Sequence, residues 1–91
     1  MARDAAWLSV EADGVDDALR QARRRLENAQ NELVLDFASV RRIDSSALRA
    51  LDELTDAASG KGIQLVLNKV SVDIYKVLKL MGLTSRLSFR G

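Results

Sequence analysis

Glu32-Leu-Val-Leu-Asp-Phe-Ala-Ser-Val-Arg-Arg-Ile-Asp-Ser-Ser-Ala-Leu-Arg-Ala-Leu51 is the stretch from which the fold of this chain is read. Leu33, Val34, Leu35 and Phe37 form an apolar run of strand length, rich in residues that suit a packed sheet. After a short polar turn, Leu48, Leu51 and Leu54 recur at helical spacing. Asp44 stands immediately before that set, where an N-cap is wanted. Ser45 and Ser46 then take the first two helical positions, beside backbone N–H groups that have no partner within the helix. Two serines at the mouth of a helix, just past a strand, are either part of a cap or part of a switch.

Upstream of this unit, Ala6-Trp-Leu-Ser-Val-Glu11 reads as a first strand, with Leu8 and Val10 on one face. Ala12-Asp13-Gly14 is a turn signal. Val15, Ala18, Leu19, Ala22, Leu26 and Ala29 match a helical stripe running through position 29. Asp13, Asp16 and Asp17 put negative charge at the start of that helix, where its dipole favours it. Arg20, Arg23, Arg24 and Arg25 follow. No aromatic residues interleave with them, so they read as a solvated face rather than a nucleic-acid patch. The lone tryptophan, Trp7, reads as cover for a sheet edge.

Downstream, the second helix is expected from about Ser45 to Ser59, burying Leu48, Leu51, Leu54 and Ala58, with Gly60-Lys61-Gly62 as its stop. Ile63, Leu65, Val66 and Leu67 form a third strand, nearly continuous in apolar character as a central parallel strand should be. Ser71 caps a third helix whose core stripe is Ile74, Val77, Leu78 and Met81. Gly82 sits at its C′ position and Leu83 follows as the apolar contact. Leu87 and Phe89 alternate with Ser88 and Arg90 in a last short strand. The expected fold is α/β, one small domain over residues 1–91 in the order β-α-β-α-β-α-β. Short loops between alternating elements imply right-handed crossovers and a mostly parallel sheet of about four strands.

Composition excludes several chemistries. With 14 basic and 13 acidic residues the net charge is +1, so no global field points to nucleic acid or a membrane surface. The absence of cysteine removes disulfides, thiolate metal sites and thiol nucleophiles. The absence of histidine removes the commonest general base and neutral metal ligand. Ser59-Gly60-Lys61-Gly62 is no phosphate loop, because it follows a helix instead of opening one and no hydroxyl residue comes after Lys61. Asp36 raises the thought of an aspartate-phosphorylating receiver, but Glu11 and Asp13 are too loosely spaced for the magnesium-holding acids such a site requires. No cofactor and no metal are expected. No segment approaches the length of apolar run that spans a bilayer, and Met1-Ala-Arg-Asp lacks a signal peptide's apolar core, so a soluble, cytoplasmic protein is expected.

The pattern Leu-Val-Leu-Asp-Phe-x-x-Val-x-x-Ile-Asp-Ser-Ser-x-Leu-x-x-Leu at residues 33–51 resembles the signature of the STAS family. That family contains the bacterial anti-sigma-factor antagonists and the cytoplasmic domains of sulfate transporters. The resemblance continues through Gly62-Ile-Gln-Leu-Val-Leu-Asn-Lys-Val-Ser71 and through Val77-Leu-x-Leu-Met-Gly-Leu83. Two departures stand out. The family usually begins with a hairpin and an antiparallel edge strand, whereas here the first helix starts near Val15, so one strand is expected to be missing or fused. Ala47 stands where most members carry Gly, adding a methyl group where the family allows close approach of a partner.

The resemblance implies a regulator without catalysis of its own. In the antagonist branch the first serine after the aspartate is phosphorylated by a partner that is both kinase and anti-sigma factor, and the unmodified form binds that partner and frees a sigma factor. Here that serine is Ser45, with Ser46 as the alternative acceptor. Asp44 is the cap and neighbour of the switch, and Ser46, Ala47, Arg49 and Asp52 are the expected partner contacts. A phosphate would add about −1.5 to −2 charge beside Asp44, which a helix N-terminus tolerates, so the switch is expected to act on the interface and not on the fold. Arg41, Arg42 and Arg49 are near enough in sequence to neutralise it partly. The alternative is a STAS-type subunit docking on the ATPase of a lipid-transport or other membrane complex without phosphorylation. No nucleic-acid partner and no membrane insertion are expected, and the chain is expected to be a monomer or weak homodimer, since an edge strand near Trp7 offers a pairing surface.

Overall fold

The structure, a computed structural model, describes residues 5–91; the Met1-Ala-Arg-Asp segment considered above lies outside the described residues. Among the described residues the chain forms four strands, three α-helices and a 3-10 turn. These are β1 (Ala5–Ser9), α1 (Val15–Arg25), β2 (Glu32–Asp36), α2 (Ser45–Lys61), β3 (Gln64–Asn68), α3 (Val72–Leu80), the turn Thr84–Arg86, and β4 (Ser88–Arg90). The strands lie in the order β1-β2-β3-β4, and each neighbouring pair is parallel. The expected α/β architecture with a parallel sheet is therefore present, without an antiparallel member among the described strands.

Every crossover steps in the same direction across the sheet, which places α1, α2 and α3 on one face. The register makes the layer visible: Leu8, Leu35, Leu67 and Phe89 are paired side by side across the strands. Leu8, Leu35 and Leu67 join Leu19, Ala22 and Leu26 of and just beyond α1, Leu51, Leu54 and Ala58 of α2, and Ile74 and Leu78 of α3 in one buried cluster, and Phe89 packs against it. The intervening row, Trp7, Val34, Val66 and Ser88, faces the other way. Val34 and Val66 are buried although no helix covers them. Polar side chains on that face close over the sheet: Arg90 of β4 donates to both carboxylate oxygens of Glu32 in β2, at 3.0 and 2.9 Å, and Gln64 donates to Ser88 Oγ at 2.6 Å.

Local chemistry sets the ends of the elements, and there the structure shortens or lengthens what periodicity predicts. The helical stripe predicted through position 29 is regular only to Arg25; Glu27 and Asn28 donate three residues back, to the carbonyls of Arg24 and Arg25, so the chain tightens into turns. Leu26 is nonetheless buried, which is why the apolar pattern outlasts the helix. β2 ends at Asp36, whose Oδ1 accepts from Ala38 N at 3.2 Å and folds the chain into a turn. The second helix runs two residues beyond Ser59, through Gly60, and closes at Gly62, which takes φ 70. Ile63, predicted as the first residue of a strand, instead donates to Ala58 O and completes that closure.

α3 follows its predicted caps and departs from its predicted stripe. Ser71 Oγ accepts from Ile74 N at 3.2 Å, and Gly82, at φ 74, donates to Lys79 O while Leu83 donates to Leu78 O. This paired closure is the one Gly-Leu predicts. Ile74 and Leu78 are buried, but Val77 and Met81 are 36% and 44% exposed. The neighbourhoods differ: α1 packs closely along α2, whereas α3 makes its closest packing with the Thr84–Arg86 turn and enters the core through Ile74 and Leu78. Leu48 is likewise half-buried, and the buried position missed in α2 is Thr55, whose hydroxyl donates to Leu51 O at 2.7 Å.

Candidate functional site

The helices run antiparallel to the strands, so the N-termini of α1, α2 and α3 gather at the carboxyl end of the sheet. Strand order never reverses, so there is no switch-point crevice of the kind that holds ligands in doubly wound sheets. Among the described residues no group of three or more acidic side chains converges as metal ligands. What this end presents instead is three helix mouths, of which those of α2 and α3 are capped by side chains.

Asp44 has extended backbone angles, φ −89 and ψ 179, and its Oδ1 accepts from Ala47 N at 2.9 Å. Its carbonyl accepts the first helical bond, from Leu48 N. Asp44 is thus the N-cap, and Ser45 and Ser46 are the first two residues of α2. Both are exposed. Their hydroxyls differ. Among the described residues Ser45 has no hydrogen-bond partner for its side chain, whereas Ser46 Oγ donates to Asp16 Oδ2 of α1 at 3.0 Å. Asp16 is half-buried and ties the two helix mouths together.

Between these mouths lies an open cleft of about 360 Å³, whose lining includes Asp13, Asp16, Asp17, Arg20, Arg42 and Asp44. Arg20 pairs with Asp17 at 3.4 Å, an exposed contact of little energetic weight. Arg41, Arg42 and Arg49 are exposed, and Arg41 O accepts from Ser71 Oγ at 3.1 Å, which links the turn before α2 to the cap of α3.

The structure separates the predicted contact residues. Ser45, Ser46 and Arg49 share the exposed first turns of α2. Ala47 does not join them: its side chain is 2% exposed and faces the core, so only its N–H, held by Asp44, belongs to the site. Asp52 is half-buried and accepts from Arg86 Nη2 at 3.2 Å, while Arg86 Nη1 binds Asp56. The hydrogen bond to Asp56, followed by the charges of both carboxylates, pushes the Arg86 guanidinium pKa up. Asp52 therefore serves an internal tie between α2 and the Thr84–Arg86 turn. Asp36, weighed above as a phosphorylation site, accepts from Ala38 N and from Asn68 Nδ2, both at 3.2 Å, and acts as a strand-end brace. Asp16 and Arg86 are the participants sequence reasoning missed. Asp16 was legible only as a charge suited to the start of α1, and its partner lies 30 residues away.

Set beside known proteins, the chain matches the family model described as STAS domain over residues 12–90. No curated protein sequence matches it. Its fold is similar to that of a sulfate transporter family protein from Wolinella succinogenes, with a TM-score of 0.82 and 22% identity over 99% of this chain and 79% of that one. A putative anti-sigma factor antagonist from Thermotoga maritima is similar with a TM-score of 0.78 and 18% identity, over 100% of this chain and 82% of that one. A chain from the stressosome, a signal integration and transduction hub, is similar with a TM-score of 0.74 and 24% identity, over 99% of this chain and 84% of that one. At these identities the likenesses speak for the fold, and the family model, which spans α1 through β4 and with them the capped mouth of α2, speaks for descent: the chain belongs to the STAS domain family.

Proposed function

We propose that this chain is a non-catalytic, protein-binding regulator of the anti-sigma-factor antagonist type, switched by phosphorylation of Ser45 by a partner serine kinase. The observation that carries the reading is the division of labour at the mouth of α2. Asp44 does the capping through Ala47 N, and Ser45 is left exposed with its hydroxyl uncommitted among the described residues. Family membership and the likeness to a putative anti-sigma factor antagonist support it.

The switch is electrostatic. A phosphate on Ser45 places roughly −1.5 to −2 charge at the end of a helix whose dipole favours anions, so the fold keeps its stability. A partner surface pressed on the same helix mouth instead meets a dianion that it must desolvate, next to Asp44. The unmodified form binds and the phosphorylated form is released. The contact surface in this reading is Ser45, Ser46 and Arg49; Ala47 is left out because it is buried. Ser45→Asp is expected to weaken partner binding at least tenfold while shifting stability by less than about 1 kcal/mol. Calorimetric titration against the captured partner checks the first and thermal melting the second; equal affinity for both forms would sink the switch.

A second reading is a STAS-type subunit docking on the ATPase of a membrane complex with Ser45 unmodified; the likeness to a sulfate transporter family protein supports the membrane-transport setting of that reading and not its ATPase. Mass spectrometry of the protein from its native cell separates the two, because phosphate on Ser45 belongs only to the first.

A further inference from the structure

Resting on the phosphorylation reading, we propose that Asp16 assigns the modification to Ser45 by holding the neighbouring Ser46 and opposing a phosphate there. Ser45 and Ser46 are adjacent, both exposed and both in the first turn of α2, so exposure does not choose between them. Their surroundings do. Successive helical residues point about 100° apart, and that rotation aims Ser46 at α1. Its hydroxyl donates to Asp16 Oδ2 at 3.0 Å. Asp16 is half-buried in the first turn of α1, while its neighbour Asp17 is exposed and paired with Arg20.

Phosphoryl transfer forms a bond from a serine Oγ to the terminal phosphorus of a nucleoside triphosphate held by the partner. The bond to the bridging oxygen breaks, the nucleoside diphosphate leaves, and the hydroxyl proton passes to a base. At Ser45 nothing among the described residues must be displaced for this to happen. At Ser46 the hydroxyl first has to leave Asp16. A carboxylate in that position could itself accept the proton, but the product dianion would then lie against the same carboxylate. Of the other charged groups lining the neighbouring cleft, Asp13, Asp17, Arg20, Arg42 and Asp44, none among the described residues hydrogen-bonds either serine, so Asp16 is the group whose contact distinguishes them. In the unmodified protein the same bond latches the start of α2 to α1 and leaves Ser45 presented at the mouth.

The test installs phosphoserine during translation at position 45 or at position 46, in the wild-type chain and in Asp16→Asn, which keeps an acceptor oxygen and loses the charge. Phosphorus NMR then follows the second ionisation of each phosphate. The phosphate at 46 is expected to ionise about half a pH unit or more above that at 45, from the repulsion of two near charges close to the surface. Asp16→Asn should remove the difference and leave the phosphate at 45 unmoved. Equal titration of the two phosphates in the wild-type chain overturns the proposal, and that comparison stands even if Asp16→Asn fails to fold. Site mapping of protein from the native cell completes it: phosphate on Ser45 alone in the wild type, spreading to Ser46 in Asp16→Asn, is expected, and phosphate on Ser46 in the wild type overturns it. Absence of phosphate from both serines in the cell would instead remove the switch itself, while the titration still decides whether Asp16 opposes charge at 46.

Discussion

Asp44, Ser45 and Ser46 are adjacent in the chain and do different things, because a helix mouth offers three distinct environments in three residues. Asp44 lies outside the helix and reaches forward to Ala47 N. Ser45 faces solvent, and Ser46 is turned toward α1 and Asp16. Asp44→Ala should remove the cap and destabilise the domain by about 1 kcal/mol, read as a lower melting temperature. An unchanged melting temperature would show that Asp44 serves recognition alone. The capping role was legible in the sequence, since Asp before a helix-spaced apolar set has a physical reason to be there. The role of Asp16 was not, because a hydrogen bond across 30 residues depends on how two helices pack, which no local pattern encodes.

Helix ends show where local rules suffice. Gly62 and Gly82 both adopt left-handed angles, φ 70 and 74, and each closes its helix through backbone bonds to the preceding turn. Gly60, two residues earlier than Gly62, lies within α2 and terminates nothing. Neither Gly62 nor Gly82 has a neighbour within 4 Å of where a Cβ would stand, so the demand is conformational and not steric. Gly82→Ala should therefore cost about 1 kcal/mol by forcing a side chain into the left-handed region, measurable by chemical denaturation. A loss below a few tenths of that figure would mean that the Leu83 contact, and not the turn, holds the end of α3. The misread apolar positions of α1 and α3 share one cause. Apolar periodicity reports burial, and burial continues past the hydrogen-bonded helix at Leu26 and falls short of it at Val77 and Met81. α3 carries a helical pattern wider than the face it buries, which is Ile74 and Leu78 alone.

For the molecule as a whole, stability rests on one layer of helices over one face of the sheet. Leu35 lies at the centre of that layer, paired in register with Leu8 and Leu67 and fully buried. Leu35→Ala should cost about 2–5 kcal/mol through lost burial and the cavity left behind. In a domain of this size each kcal/mol lowers the melting temperature by roughly 4–8 °C, so the variant should melt well below the parent. A shift of only a few degrees would show that the layer repacks into the space. The open face is held differently. Val34 and Val66 are buried there, and the Glu32–Arg90 pair links β2 to β4 on the same face, its partly exposed charges contributing little individually.

Local pattern was enough to specify the alternation of strands and helices, the parallel sheet and the two chemical caps, Asp44 and Ser71. Each of these follows from short-range forces: apolar periodicity, hydroxyl or carboxylate capping, and the short connections that force right-handed crossovers. Packing settled the rest. It tied Ser46 to Asp16, drew Asp52 onto Arg86, turned Ala47 inward and closed Arg90 over the sheet onto Glu32. Those partners are 30, 34 and 58 residues apart for the three polar ties, and their meeting is fixed only once the helices and strands have docked. The mouth of α2 was visible in the chain as Asp-Ser-Ser; that its two serines are unequal became visible only when α1 was laid beside it.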